Sequence, residues 1–234
     1  RIIQEEGVKI VFTSAGNPAT WTGTLKRHGI VVAHVVSSVK FARKAEAAGV
    51  DAVVAEGFEA GGHNGREETT TMVLVPMVAD AITVPLIAAG GIADGRAMLA
   101  AEALGADGVQ VGTRFAVSAE SSAHEHFKKR ITDSDEGETM LTLKQLTPVR
   151  MIKNTFFKQV DDAEKRGASP DELRALLGSR RAKSGIFEGN LEHGELEIGQ
   201  ISAAVKKIQP AGEIVRDIWE EYRKLKKSLC NGIS

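Results

Sequence analysis

Five short apolar runs punctuate the first half of the chain: Val8–Ser14, Ile30–Val36, Ala52–Glu56, Val84–Ala89 and Gly108–Gly112. Each is rich in Val, Ile or Ala and closes on small or polar residues. Runs this short and this continuous are the pattern of parallel strands covered on both faces, where neither side of the strand meets water. The intervals between them read as helices. Val39–Ala48 sets Lys and Arg on one face and Ala, Phe and Val on the other, with Gly49 as the stop signal. Thr71–Ala81 and Gly95–Leu104 fill the next gaps, the second closed by Gly105. The order is β-α-β-α-β-α-β-α-β.

Strict alternation implies an α/β fold with a parallel sheet and right-handed crossovers. A doubly wound sheet and a barrel both satisfy it. Glycine placement favours the (β/α)8 TIM barrel, because glycines gather after the third, fourth and fifth strands, and no GxGxxG follows the first. Five strands do not close eight, so the three N-terminal strands, about 80–90 residues, are expected ahead of Arg1. After Phe115 the pattern changes. Glu120–Arg130, Val149–Arg166, Pro170–Leu177, Gln200–Lys207 and Glu213–Leu229 read as helices, Asp133–Glu138 as a polar loop and Ser184–Gly199 as a glycine-rich stretch, with no further strand signal. Residues 1–118 are therefore expected to form the last five β/α units of a barrel, and 119–234 a helical appendage packed on it.

Composition narrows the partners. Lys and Arg number 30 against 31 Asp and Glu, a net charge of −1, which gives no electrostatic ground for nucleic acid or an anionic membrane. A small molecule is the better expectation. The one cysteine, Cys230, cannot form an intrachain disulfide, which fits a reducing, cytoplasmic setting. No apolar stretch reaches the ~18 residues of a membrane span.

The candidate chemistry lies at the strand ends. In barrels, loops at the C-terminal ends of the strands carry function, and a phosphate commonly binds after strands seven and eight. Ala88-Ala89-Gly90-Gly91-Ile92 and Gln110-Val111-Gly112-Thr113-Arg114 end the last two runs with little side chain, a hydroxyl and the start of a short helix. Together they form a phosphate cradle, although Gly90 and Gly91 could equally serve a tight turn. Glu56-Gly57-Phe58-Glu59-Ala60-Gly61-Gly62-His63-Asn64-Gly65 follows the third run. Glycines around His63 let the backbone approach a flat ligand and leave the imidazole as the large functional group, able to move a proton near neutrality. Ser14 and Asn17 would face the same mouth, His34 reads as a satisfied core histidine, and His124 and His126 as surface residues. No Cys/His cluster suggests a metal.

These loops resemble the family that joins FMN-dependent enoyl-ACP reductase II with nitronate monooxygenase, formerly 2-nitropropane dioxygenase. The likeness rests on Glu59–Gly65, Ala88–Gly95 and Gln110–Phe115, with Arg150–Asn154 and Gly199-Gln200 further on, and spans most of the chain. It implies a TIM-barrel flavoprotein in which Glu56, Ala60, Gly61, Gly62, Gly90, Gly91, Gln110, Val111, Gly112 and Thr113 contact FMN and His63 is the catalytic histidine. Monooxygenase members often carry an FMN-contacting Gln where Glu56 stands; some carry a Lys where Val35 stands, and its absence, with Ser14-Ala15-Gly16-Asn17-Pro18 and Glu120-Ser121-Ser122-Ala123-His124, resembles the reductase branch more closely.

The resemblance leaves two activities open. In the reductase, NADH or NADPH supplies electrons, a trans-2-enoyl thioester on acyl carrier protein is reduced in fatty acid synthesis, and His63 positions the substrate or delivers the α-proton. In the monooxygenase, His63 is the base toward a nitroalkane or nitronate that is oxidised with oxygen. A homodimer fits the family. Outside it, the phosphate cradle alone would also suit a non-flavin lyase or isomerase barrel acting on a sugar phosphate, but such barrels usually need a catalytic Lys or a carboxylate pair that is not evident here.

Overall fold

The computed structural model describes residues 2–231, and the side chains of Cys230 and Asn231 lie outside what it describes. Among the described residues eight strands occur: β1 (Ile10–Thr13), β2 (Val31–Val36), β3 (Ala52–Glu56), β4 (Gly62–His63), β5 (Leu86–Ala89), β6 (Gly108–Gln110), β7 (Thr139–Thr142) and β8 (Val149–Ile152). They form two sheets within two units of the chain. The first unit comprises the chain up to Phe58 with Glu67–Ala89 and Ala100–Gln110; the second comprises Glu59–Arg66, Gly90–Leu99 and everything from Val111 onward.

The first unit holds a parallel sheet ordered β1-β2-β3-β5-β6. Its strands neighbour one another in chain order with no reversal, as in a (β/α) barrel and unlike a doubly wound sheet, whose order turns back at a switch point. The α/β class and the five strands match the expectation. Val32, Val53, Val54, Ala55 and Ala88 are fully buried, which explains the unbroken apolar runs. Two aspartates fasten the N-terminal strand ends. Asp51, just before β3, accepts the backbone N–H of Val32 at 2.8 Å, and Asp107, just before β6, accepts that of Leu86 at 2.8 Å. His34 is the satisfied core histidine expected of it. It is buried, its Nδ1 lies 2.7 Å from the Thr13 hydroxyl, and burial aided by the Lys44 charge holds its pKa below the usual value.

The second unit is not helical throughout, which corrects the sequence reading. β7 and β8 pair antiparallel, and β8 pairs on its other edge with β4, giving the order β4-β8-β7. The helix expected from Val149 begins only at Thr155, because Asn154 caps it by accepting the Phe157 N–H at 2.9 Å. The four residues Val149–Ile152 are a wholly buried strand instead. Gln200–Ala204 is a short 3-10 turn rather than a longer helix. Two apolar clusters form this unit's core, one around Phe127, Ile131, Ile152 and Leu196, the other around Met151, Phe156, Val160 and Leu173. The closing helix, Ala211–Asn231, lies so near Gly95 that a β-carbon there would stand 2.3 Å from the Tyr222 backbone nitrogen, and the Gly95 N–H donates to Glu221 at 2.8 Å. No helix among the described residues is long and apolar enough to cross a membrane.

Candidate active site

His63 owes its position to β8. As the second residue of β4 it stands opposite Val149, with Gly62 opposite Arg150. The strand is only two residues long and relies on the polar groups around it. The Asn64 N–H donates to Pro148 O at 2.8 Å, and its side-chain amide donates to the carbonyls of Ala60 at 3.0 Å and Gly62 at 3.1 Å. Arg66 then donates to the carbonyls of Lys144 and Leu146. The loop is thus tied down before and after the exposed imidazole.

That imidazole lines a cavity of about 290 Å³ within the second unit. Leu143, Leu146, Val149 and Leu177 give it apolar walls; Glu195, Glu197 and Arg181 bring charge to it. The Arg181 guanidinium is occupied, donating to the carbonyls of Leu176, Leu177 and His193 and stacking 4.6 Å over Phe156. Burial, then the Glu197 charge, pushes the Glu195 carboxyl up to about 7 against the pull of Arg181. Burial also raises Glu197, and the His63 charge pulls it back. One buried and one half-buried carboxyl lining the same cavity as an imidazole make a proton-handling arrangement.

The glycine loops of this unit come together. A β-carbon on Gly61 would lie 2.4 Å from the Ile198 carbonyl carbon, so only glycine permits this approach. The Gln200 N–H donates to Glu59 O at 2.9 Å, and the Gly199 N–H to the buried Thr113 hydroxyl at 3.2 Å. Gly199 joins the loops at Gly61 and at Thr113. Gly91 has φ 70° and lies against the Glu59 side chain, so turn geometry and packing already account for its missing side chain. Gly112 differs. Its φ of −99° suits any residue, and a β-carbon there would meet nothing within 4 Å. Neither strain nor crowding explains that glycine.

Glu56 and Gln110 belong to the first unit, where they end their strands in one row: Glu56 is in register with Ala89, and Ala89 with Gln110. Burial pushes the Glu56 carboxyl up to about 7. Asn17 caps the turn Pro18–Thr20 through the Ala19 N–H, as turn chemistry anticipates, and His124 caps the helix Glu125–Thr132. Among the described residues no group of three or more His, Cys, Asp or Glu side chains is disposed to hold a metal ion. The sequence reading missed Glu195, Glu197 and Arg181; the two glutamates fall in the stretch Ser184–Gly199, read only as glycine-rich. The alternation Glu195-Leu196-Glu197-Ile198, with Leu196 and Ile198 buried, is the signal of an extended segment.

The family model described as nitronate monooxygenase matches residues 1–221. The chain belongs to the nitronate monooxygenase family. Members are flavin-dependent oxidoreductases, as the resemblance implies. A probable nitronate monooxygenase of Staphylococcus saprophyticus is 37% identical over 212 residues, 85% of this chain and 59% of that protein. A nitronate monooxygenase of Neurospora crassa is 35% identical over 217 residues, 88% of this chain and 57% of that protein. The chain thus spans less than two thirds of the length of these curated relatives. Among solved structures, FabK from Thermotoga maritima superposes with a TM-score of 0.92 at 39% identity, covering 98% of this chain and 73% of that one. A nitroalkane oxidase from Streptomyces ansochromogenes gives 0.78 at 29% identity, covering 97% and 68%. FabK and the nitroalkane oxidase therefore both share this fold.

Proposed function

We propose that this chain serves an FMN-dependent oxidoreductase that reduces a trans-2-enoyl thioester with NADH or NADPH. The observation that carries the flavin half is Gly112, bare without a conformational or packing reason, in the cluster that joins Gly61, Thr113 and Gly199. The residues suit the group. Backbone N–H groups of Gly90, Gly91, Val111, Gly112 and Thr113 would hold its phosphate, and the thin backbone of Ala60, Gly61 and Gly62 would lie along its ring. Glu56 and Gln110 are assigned to it by sequence pattern alone. Bound FMN supplies hydride chemistry that side chains cannot.

The protein's own contribution is binding and the proton. The apolar walls at Leu143, Leu146, Val149 and Leu177 would take an acyl chain and keep water from the reacting carbons. As hydride reaches the β-carbon, the His63 imidazolium would give its proton to the α-carbon, and solvent restores it. The reductase reading is supported by the FabK superposition at 0.92 and 39% identity against 0.78 and 29% for the nitroalkane oxidase. The second reading, oxidation of a nitronate with His63 as base, is supported by the nitronate monooxygenase relatives. A small-molecule or carrier-bound substrate, and not nucleic acid or membrane, is the partner proposed; the site itself requires no second subunit in this account.

The test is to follow NADH or NADPH consumption with a crotonyl thioester, and oxygen consumption with a nitronate. Enoyl reduction is the expected result. Rapid nitronate oxidation without NADH and without enoyl reduction would overturn the preference.

A further inference from the structure

Arg180 holds a backbone conformation that a side chain disfavours. Its φ of 65° and ψ of 17° lie in the left-handed region, where residues other than glycine are uncommon. Gly178, two residues earlier, also has a positive φ of 62°, and there glycine makes the turn without strain. Glycine would serve position 180 equally well, so the arginine is kept against the preference of its own backbone. Such a residue points to function when its side chain has no structural task.

The Arg180 guanidinium has none. It is exposed, it caps no backbone N–H, and among the described residues it has neither a hydrogen bond nor an ion pair. The cations beside it differ. Arg181 is occupied by the carbonyls of Leu176, Leu177 and His193, and Lys183 lies 3.4 Å from the Glu188 carboxylate. Arg180 nevertheless lines the His63 cavity, whose other ionisable side chains are His63, Glu195, Glu197 and the occupied Arg181. One uncommitted guanidinium thus stands at the solvent-exposed edge of a cavity with apolar walls.

We infer that Arg180 binds the phosphate of a pantetheine arm, and so selects phosphate-bearing thioesters over simple ones. The inference deepens the proposed function, since it rests on the substrate being a thioester. A guanidinium is a planar fork of donors that meets a phosphate with two parallel hydrogen bonds. A pantetheine thioester, whether on coenzyme A or on a carrier protein, carries a phosphate at the end of the arm away from sulfur. With the acyl group against the apolar walls, the arm leaves through the exposed edge where Arg180 stands.

The experiment gives the full-length protein two crotonyl thioesters that differ by one phosphate, those of pantetheine and of phosphopantetheine. In Arg180→Gly, which suits the backbone angles, the kcat/KM preference for the phosphate-bearing thioester should fall by about tenfold to a hundredfold, the worth of a charged hydrogen-bonded pair. Arg180→Lys keeps the charge without the fork and should lose less. Calorimetric titration with the same two thioesters should show the same loss as affinity, without turnover. The crotonyl thioesters of coenzyme A and of a carrier protein separate the sources: the fall should appear with whichever presents its phosphate to Arg180, and a fall with neither overturns the inference. An unchanged preference in Arg180→Gly also overturns it, as does an equal rise in the KM of NADH or NADPH, which would give Arg180 to the dinucleotide. A wild-type protein that reduces neither thioester would instead remove the proposed function, and the calorimetric titration would still decide whether Arg180 binds the phosphate.

Discussion

Gly61 and Ile198 meet backbone to backbone, so closely that a β-carbon on Gly61 would stand 2.4 Å from the Ile198 carbonyl carbon and 2.5 Å from the Gly199 nitrogen. This contact joins the histidine loop to the segment that carries Glu195 and Glu197. Neither partner is a flexible side chain that could move aside. Gly61→Ala should therefore destabilise the protein by about 1–3 kcal/mol or more, read as a fall in thermal midpoint, with loss of bound flavin.

Gly112→Ala is the opposite case. The added methyl meets no protein atom within 4 Å and the backbone angles accept it, so stability should stay within about 0.5 kcal/mol of wild type. If the Gly112 backbone lies against the FMN phosphate, FMN affinity should fall by about tenfold, the worth of roughly one charged hydrogen bond. Titrating apoprotein with FMN measures it. Unaltered affinity with unaltered stability would show that the phosphate does not approach there.

Thr113 joins two loops through its hydroxyl, which accepts the Gly199 N–H. Thr113→Val keeps the shape and leaves that buried donor without its acceptor, at a cost of about 1–3 kcal/mol. Thr113→Ser should recover most of it. Denaturant unfolding of the two variants separates the hydrogen bond from the packing.

The parallel sheet was legible because its strands are covered on both faces: the limits of Ala52–Glu56 in the sequence are those of β3 in the structure. The gathering of the glycine loops was legible in part, since Gly61 and Gly199 are needed where backbone meets backbone. β7 and β8 were not legible. Met151, Ile152, Phe156, Phe157 and Val160 run together as one helical stripe, and Arg150, almost fully buried, breaks the strand pattern. Asn154 is the residue that separates strand from helix, and its capping role depends on a bond to Phe157 that spacing alone only suggests. Glu195 and Glu197 were obscured by the glycines around them, although their alternation with Leu196 and Ile198 was there to read.

Two carboxyls make stability depend on pH. Glu56 and Glu195 are both raised from 4.5 to about 7, so between those values the folded protein holds protons that the unfolded chain has released. Their contribution is full below about 4.5 and is lost as pH rises through about 7. A displacement of about 2.5 pH units is worth about 3 kcal/mol for each group at most. Comparing thermal midpoints at pH 5 and pH 8, the variant with Glu56→Gln and Glu195→Gln should lose less stability than wild type over that interval. An identical loss would contradict the assignment of these two groups.

His63→Ala should lower turnover by about 10²–10⁴-fold with flavin still bound, because its role is proton transfer and not cofactor retention. Loss of flavin in parallel with turnover would mean that the loop, rather than the imidazole, had been tested.

Every role proposed for His63 and the glycine loops depends first on flavin. Absorbance of the purified protein, before and after denaturation, with the released chromophore identified and counted per chain, tests it most directly. A yellow full-length protein releasing one FMN per chain is the predicted result. A colourless protein that takes up no FMN on reconstitution would contradict it.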